Sequence, residues 1–303
     1  MSAYPRNAKR YKANVFQHEG ITDFGSKAVR NGIHQIAYGN GLLEIFIEDH
    51  FADTTIVFFH GSIPAKKITL PVFTGINVGR TTGANIVLVS DSTLETGANL
   101  AWYAGDRNRA LQKDLPLVLD AVFRSMASHR HAIFYGGSGG GFAALFYASC
   151  FDGALPIAAN PQTSIAKYLE PAVLNFTRRA WKSDALEGLP ITWNLCDYYS
   201  NVSPRPILYL QAMGDSHVEL HLSPFLEKIP EREQIHVLKL FNGKGHNPPS
   251  RDLVEELLFK AVRVSGQWDM LWPSLQTDNA STGPELVYQH DEYLGSLRTE
   301  EDQ

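Results

Sequence analysis

A serine surrounded by glycines lies at position 138, between an apolar run and a segment of helical composition. Residues 132–135 read AIFY, residues 136–140 read GGSGG, and an apolar stretch beginning at Phe142 follows. This is the G-x-S-x-G pattern in a strand, sharp turn and helix context. Such a turn holds the hydroxyl above the start of a helix, where free N–H groups stabilise developing negative charge. The pattern predicts that Ser138 is the nucleophile of a hydrolase or an acyl transferase.

The same glycines fit two other interpretations. Residues 139–144, GGGFAA, also match the G-x-G-x-x-A pattern of dinucleotide-binding turns. That pattern is accompanied by an acidic residue about 20 positions further on, at the end of the next strand. Residues 158–161 read AANP and offer none, and the segment lacks the Gly-Lys-Ser/Thr of a phosphate loop. We therefore predict no nucleotide cofactor. A turn with a purely structural role stays open.

A serine hydroxyl becomes a good nucleophile only beside a base that a third group orients. In parallel sheets, reacting groups gather at the carboxyl ends of the strands. Asp215 follows the apolar strand predicted at 206–212, and His246 follows the strand predicted at 234–240. These positions make Asp215 and His246 the predicted partners of Ser138, with Asp91, at the end of an earlier strand, as the alternative acid.

The chain order of serine, acid and histidine resembles that of the α/β-hydrolase superfamily, over residues 33–263. The resemblance implies that Ser138 is the nucleophile, that His246 is general base and then acid, and that Asp215 holds the imidazole tautomer. It also implies an acyl-serine intermediate.

The resemblance further implies two backbone donors for the oxyanion. One is the N–H of Gly139, directly after the nucleophile. The other comes from the loop at residues 60–62, for which Ser62 is the first candidate and Ile63 the alternative.

Alternating strands and helices predict a mostly parallel sheet with helices on both faces. Residues 33–49 read as a hairpin around the turn at 39–41, which adds an antiparallel edge. The other predicted strands are 54–59, 84–90, 132–137, 155–159, 206–212 and 234–240. The predicted helices are 114–128, opened by Asp114 and Pro116, then 140–149, 220–228 and one capped by Ser250.

Three segments lie outside this alternation. Residues 1–32 are predicted to form a loosely attached N-terminal arm. Residues 163–203 are rich in aromatic side chains and are predicted to be an insertion, interpreted as a lid. Residues 264–303 form a C-terminal extension expected to pack through Trp268, Met270, Leu271 and Trp272, with its end free.

Composition limits the classes of partner. The 303 residues carry a net charge of −5, which gives no electrostatic reason to expect nucleic acid. Two cysteines and the lack of an apolar N-terminal run favour a cytoplasmic, reducing location without a membrane span. His217 and His221 flank Glu219 without an obvious third ligand, so no metal is predicted.

The predicted substrate is therefore a small-molecule or glycan acyl ester, with Trp102, Tyr103 and Asn160 as candidate binding residues. The predicted function is hydrolysis of an ester or related acyl bond by a Ser-His-Asp triad. O-acyl transfer, for example of an acetyl group to a glycan hydroxyl, is the alternative, and a non-catalytic binding protein is the second alternative. The oligomeric state is left open.

Overall fold

The computed structural model describes residues 2–202, 206–229, 234–277 and 286–289. Its central element is a ten-stranded sheet within these residues, in the order β1-β2-β3-β5-β4-β6-β7-β8-β9-β10. The strands are β1 Val15–His18, β2 Gly32–Tyr38, β3 Gly41–Glu48, β4 Thr54–Phe59, β5 Asn85–Ser90, β6 His131–Gly137, β7 Leu155–Ala159, β8 Ile207–Gly214, β9 Ile235–Lys244 and β10 Leu286–Gln289.

The six neighbouring strands β5, β4, β6, β7, β8 and β9 are parallel to one another. Their carboxyl ends therefore share one rim of the sheet. The α-helices are α1 Ile21–Gly25, α2 Ile76–Thr82, α3 Leu111–Ser125, α4 Gly139–Ala148, α5 Glu170–Phe176, α6 Leu195–Tyr199, α7 Ser223–Lys228, α8 Arg251–Arg263 and α9 Leu271–Thr277. The predicted hairpin forms as β2 and β3, which pair antiparallel from Gly32 to Tyr38.

The core lies on both faces of the sheet, as β4 illustrates. Ile56 and Phe58 belong to one apolar cluster, whereas Val57 and Phe59 belong to the other. Because successive side chains of a strand point to opposite faces of the sheet, alternate residues of β4 contribute to the two apolar clusters. A continuous apolar strand is what burial on both faces requires.

Helix α3 begins earlier than the sequence predicts. It starts at Leu111, and Pro116 lies inside it. Asp114, expected to cap the helix, instead accepts a hydrogen bond of 2.6 Å from the hydroxyl of Tyr38. The side chain of Gln112 also bonds to the backbone of Thr192. These tertiary contacts extend the helix through its first turn.

The prediction of a loosely attached N-terminal arm is wrong for residues 2–18. Strand β1 pairs in parallel with β2 at one edge of the sheet. Before it, the N–H of Asn7 donates to the carbonyl of Leu70 at 2.6 Å, and Arg6 forms an ion pair with Glu44 at 3.1 Å. The segment is polar because its charged groups pair with groups of the main body.

The C-terminal extension packs as expected through Trp268, Leu271 and Trp272, which are buried. Trp272 stacks on His236 with ring centroids 3.7 Å apart. Met270 was predicted to join this contact, but its side chain is exposed. The acidic end of the chain lies outside the described residues.

Candidate active site

Ser138 occupies the turn between β6 and α4 with φ 56° and ψ −119°. Such angles are unfavourable for a residue with a side chain and persist only where the surroundings enforce them. The N–H of Ser138 donates to the carbonyl of Ala159 at 2.8 Å. A Cβ on Gly136 would lie 2.1 Å from the carbonyl oxygen of Gly140. The turn therefore requires a glycine at 136 and holds Ser138 rigidly at the rim.

The start of α4 is packed equally closely. A Cβ on Gly139 would lie 2.4 Å from Cδ1 of Leu100, and one on Gly140 would lie 2.6 Å from the carbonyl oxygen of Phe59. Gly139 is the first residue of the helix, where N–H groups have no partner within the helix. Its N–H is therefore suited to receive an anionic oxygen.

The loop at residues 60–62 lies directly against the nucleophile. A Cβ on Gly61 would lie 3.6 Å from Cβ of Ser138. Within the described part of the chain, the N–H groups of Gly61 and Ser62 donate no hydrogen bond, whereas that of Ile63 donates to Asn99 at 3.4 Å. Of the two predicted donors from this loop, Ser62 is the one left available.

His60 fixes the direction of that peptide. Its Nδ1–H donates to the carbonyl of Gly61 at 2.8 Å, and its Nε2 accepts from the N–H of Asp91 at 3.3 Å. Burial lowers the pKa of His60, which favours the neutral ring that this pattern requires. In a trans peptide the C=O and the next N–H point in opposite directions, so holding the Gly61 carbonyl also orients the Ser62 N–H.

Asp91, the alternative acid, is engaged elsewhere. Its carboxylate accepts from the N–H of Thr93 at 2.9 Å and from that of Tyr103 at 2.8 Å. Burial raises the pKa of Asp91. Its position secures the loop that carries Trp102 and Tyr103.

Asp215 and His246 meet at the rim, after β8 and β9. The Nδ1–H of His246 donates to Oδ2 of Asp215 at 2.5 Å. Asp215 is buried, whereas the His246 side chain is 40% exposed. Burial acts to raise the pKa of Asp215, but hydrogen bonds from His217 and His246 outweigh it, and the pKa lies below its usual value. The carboxylate thus stays ionised and holds the imidazole with Nε2 free to act as a base.

A second histidine shares the same carboxylate. Nδ1 of His217 lies 2.8 Å from Oδ1 of Asp215, and the His217 ring lies 4.4 Å from the His246 ring. The buried His221 follows at 4.6 Å from His217, and burial lowers its pKa to about 3. One atom from each of Asp215, His217 and His246 could contact a common metal ion, since these atoms lie within 4.8 Å of one another.

The sequence analysis found no third ligand for His217, but the fold brings Asp215 and His246 beside it. Each Nδ1 in this group already donates to the carboxylate. A metal ion bound at either Nδ1 would therefore displace a hydrogen bond to Asp215.

Asn160 ties the rim loops together. Its Oδ1 accepts from the N–H of Ala212 at 2.6 Å, and its Nδ2 donates to the carbonyl of Asn247 at 2.8 Å. Asn160 thus links the end of β7, to which Ser138 is bonded, with the end of β8 and the residue after His246. The predicted nucleophile, acid and base therefore belong to one hydrogen-bonded rim.

The hydroxyl of Ser138 has a different direct partner. Gln162 Nε2 donates to Ser138 Oγ at 2.9 Å, and no hydrogen bond joins Ser138 to His246 among the residues described. The sequence analysis gave Gln162 no role, and it considered His217 only as a metal ligand and not as a partner of Asp215. Gln162 lies just after β7 at the same rim, so the rule that identified Asp215 and His246 also applies to it.

No family model and no curated protein matches the sequence. Solved structures do match the fold. Carboxyl esterase 2 of the fungus Tuber melanosporum aligns at TM-score 0.50 and 11% identity, over 82% of this chain and 91% of that one. S-formylglutathione hydrolase from Agrobacterium tumefaciens aligns at 0.50 and 14%, over 78% and 99%.

Capsule O-acetyltransferase of Neisseria meningitidis serogroup A aligns at TM-score 0.52 and 12% identity, over 80% of this chain and 99% of that one. Together with the parallel sheet and the serine turn after β6, these likenesses decide the architecture. The chain has the α/β-hydrolase fold. The fold predicted from the sequence is confirmed.

In this α/β-hydrolase fold, Trp102 and Tyr103 form the wall behind the serine turn. Both are 1% exposed and have positive φ. The hydroxyl of Tyr103 accepts from the N–H of His60 at 2.8 Å and donates to the carbonyl of Val89 at 3.0 Å. Their contacts are with the protein interior, and substrate binding by Trp102, Tyr103 and Asn160 stays a prediction.

The insertion at residues 163–203 packs beside this wall. Phe176 and Tyr168 contact Trp102 edge to face, at 5.5 and 6.0 Å between ring centroids. The hydroxyl of Tyr199 donates to the carbonyl of Leu145 in α4 at 2.7 Å. The insertion borders the rim of the α/β-hydrolase sheet, and its action as a lid stays a prediction.

Two further features concern the cysteines and the length of the helices. Within the described residues neither Cys150, which is exposed, nor Cys196, which is buried, forms a disulfide. No helix in the described ranges has the length and apolar character needed to cross a bilayer.

Proposed function

We propose that this chain is a serine hydrolase that cleaves an ester through an acyl-Ser138 intermediate. The observation that carries the proposal is the 2.5 Å hydrogen bond between Asp215 and His246, on the rim where Ser138 is held in a strained turn. Serine hydrolysis needs a serine held at a sharp turn after a strand and a histidine oriented by a carboxylate. Both features are found at this rim.

In the proposed first step, Ser138 Oγ attacks the carbonyl carbon of the ester while His246 Nε2 takes the hydroxyl proton. The N–H groups of Gly139 and Ser62 receive the negative charge of the tetrahedral oxygen. The carbon–alkoxy bond then breaks, and the His246 imidazolium gives its proton to the leaving alcohol. The product is acyl-Ser138 with neutral His246.

In the second step, water loses a proton to His246 and attacks the acyl carbon. The bond to Ser138 Oγ breaks, the proton returns to Oγ, and the carboxylic acid leaves. Asp215 remains ionised throughout, which the hydrogen bonds from His217 and His246 favour. Its role is to hold the tautomer and stabilise the imidazolium.

The names of the structural neighbours support an acyl ester as substrate, since they include esterases and a hydrolase of S-formylglutathione. Transfer to a hydroxyl acceptor is the second candidate. It is supported by the likeness in fold to the capsule O-acetyltransferase, which aligns at TM-score 0.52. The two reactions share the acyl-serine and differ in whether water or a sugar hydroxyl accepts the acyl group.

The test is covalent labelling by a fluorophosphonate, followed by peptide mass spectrometry. We expect the label on Ser138 in the wild-type chain and none in S138A. D215N should reduce ester turnover by about 10⁴-fold, because the amide disfavours the required imidazole tautomer. A wild-type chain that takes no label would contradict the proposal and favour a binding protein.

Hydrolysis and transfer are separated by p-nitrophenyl esters of increasing acyl length, each assayed with and without a sugar acceptor. Release of p-nitrophenol without acceptor supports the hydrolase. Turnover that requires the acceptor would replace hydrolysis by transfer.

A further inference from the structure

Gln162 makes the only side-chain hydrogen bond to the proposed nucleophile among the described residues. Its Nε2 lies 2.9 Å from Ser138 Oγ, and its backbone N–H donates to the carbonyl of Ser138 at 3.2 Å. The residue is 0% exposed. Because a buried amide without partners is costly, both ends of this side chain must be satisfied within the protein.

The direction of the amide is set by Trp102. An indole N–H can only donate, and Trp102 Nε1 lies 2.5 Å from Gln162 Oε1. The carbonyl end must therefore face Trp102, which leaves the NH₂ end facing Ser138. Trp102 is itself fixed by edge-to-face contacts with Tyr168 and Phe176. The amide cannot turn over without losing the indole hydrogen bond.

A donor at this position acts on the serine oxygen itself. A hydroxyl has one proton and two lone pairs. Gln162 occupies one lone pair, so the proton remains free for a base and the other lone pair remains free for attack. Hydrogen bonds to a charged acceptor are roughly twice as strong as neutral ones. The contact therefore strengthens as negative charge develops on Oγ, and a contact that strengthens in this way lowers a barrier.

We propose that Gln162 is a catalytic residue that donates a hydrogen bond to Ser138 Oγ in both half-reactions. This inference rests on the proposed function. In acylation, the Gln162 N–H stabilises Ser138 Oγ while the hydroxyl proton of Ser138 passes to His246 and the bond from Oγ to the acyl carbon forms. In deacylation, the same N–H stabilises Oγ while the bond to the acyl carbon breaks and the proton returns.

The test compares Q162M, which keeps the size but removes both polar groups, with Q162E, which keeps an oxygen for Trp102. The rate of fluorophosphonate labelling reports attack by Ser138. Single-turnover rates with a p-nitrophenyl ester separate acylation from deacylation. In Q162M we expect all three rates to fall by about 10²-fold, the usual effect of losing one donor to a developing charge.

The pH dependence of labelling in Q162E separates a hydrogen-bonding role of residue 162 from a purely structural one. An ionised carboxylate cannot donate, whereas a protonated carboxyl group can. The labelling rate of Q162E relative to wild type should therefore rise as the pH is lowered. W102F, which frees the amide to turn over, should lose less activity than Q162M.

The matched control is Q112M. Gln112 is a partly buried glutamine whose amide, like that of the fully buried Gln162, is bonded at both ends, in its case to the backbone of Thr192. Its labelling rate should equal that of the wild type. If Q162M does not fold, as judged by its melting temperature, Q162E and W102F provide the same test.

Three outcomes overturn the assignment. Labelling and turnover of folded Q162M within twofold of wild type would show that the hydrogen bond is not used, while the serine hydrolase would stand. A change confined to KM would make Gln162 a binding residue. A wild-type chain without label would remove both this inference and the proposed function.

Discussion

Two adjacent glycines before the nucleophile differ in the space around them. A Cβ on Gly136 would lie 2.1 Å from the carbonyl oxygen of Gly140, whereas one on Gly137 would have its nearest contact at 3.6 Å. Overpacking typically costs about 1–3 kcal/mol and occasionally more. We expect G136A to lower the free energy of unfolding by about 3 kcal/mol or more, because the atom it meets is backbone.

Urea denaturation of G136A and G137A measures this difference. G137A is the matched control, since it adds the same methyl group one residue away, and it should unfold within about 1 kcal/mol of wild type. Equal stabilities for the two variants would show that the turn relaxes and is not rigidly packed.

At the level of single residues, the sequence predicts Ser138, Asp215 and His246 as a catalytic set because each follows a predicted strand. The structure brings Asp215 and His246 into contact, and their catalytic roles stay a prediction. The contact of Gln162 with Ser138 and that of His217 with Asp215 were not predicted, because several polar residues follow each strand. Which of them turns towards the hydroxyl or the carboxylate depends on packing against Trp102 and Tyr168, which no local pattern encodes.

At the level of the elements, Asn160 links β7, β8 and the loop after β9. We expect this link to contribute to both stability and activity. N160A removes the hydrogen bonds to Ala212 and Asn247 and leaves the buried Ala212 N–H without its partner. We expect the free energy of unfolding to fall by roughly 2–4 kcal/mol. Because the loop carrying His246 is released, kcat for an ester should fall while KM changes little.

N201A provides the comparison for that variant. Asn201 is exposed, and among the described residues its side chain bonds to the carbonyl of Asp197 in α6 and to the hydroxyl of Ser200. Denaturant unfolding and ester kinetics of both variants should show a clear loss for N160A alone. A stable N160A with wild-type kcat would mean that other contacts position the loop.

The elements themselves were largely predictable. Strands β4 and β5 follow from continuous apolar runs, and the cap of α8 follows from Ser250, whose Oγ accepts from the N–H of Leu253. The start of α3 and the strand β1 were not predictable. Their formation depends on partners distant in the chain, Tyr38 for α3 and strand β2 for β1.

For the whole molecule, buried neutral histidines predict sensitivity to acid. Burial lowers the pKa of His34 from 6.5 to about 4 and that of His221 from 6.5 to about 3. Below pH 6.5 these histidines bind protons in the unfolded chain that they do not bind in the folded chain, so the stability they contribute decreases as the pH falls. Each histidine contributes at most about 1.4 kcal/mol per pH unit within its window.

Urea unfolding between pH 7 and pH 4 measures this slope. H221F replaces the buried ring by one that cannot take a proton, so its stability should depend less steeply on pH than that of wild type. A free energy of unfolding that stays constant from pH 6.5 to 4 would contradict the expectation.

The first strand has a practical consequence for handling the protein. Because β1 covers the outer side of β2, deletion of residues 2–18 would leave a row of backbone donors and acceptors open to another chain. It would also remove His18, whose Nε2 lies 2.9 Å from Nδ1 of His34. A variant without residues 2–18 should therefore aggregate more readily than the chain that keeps them.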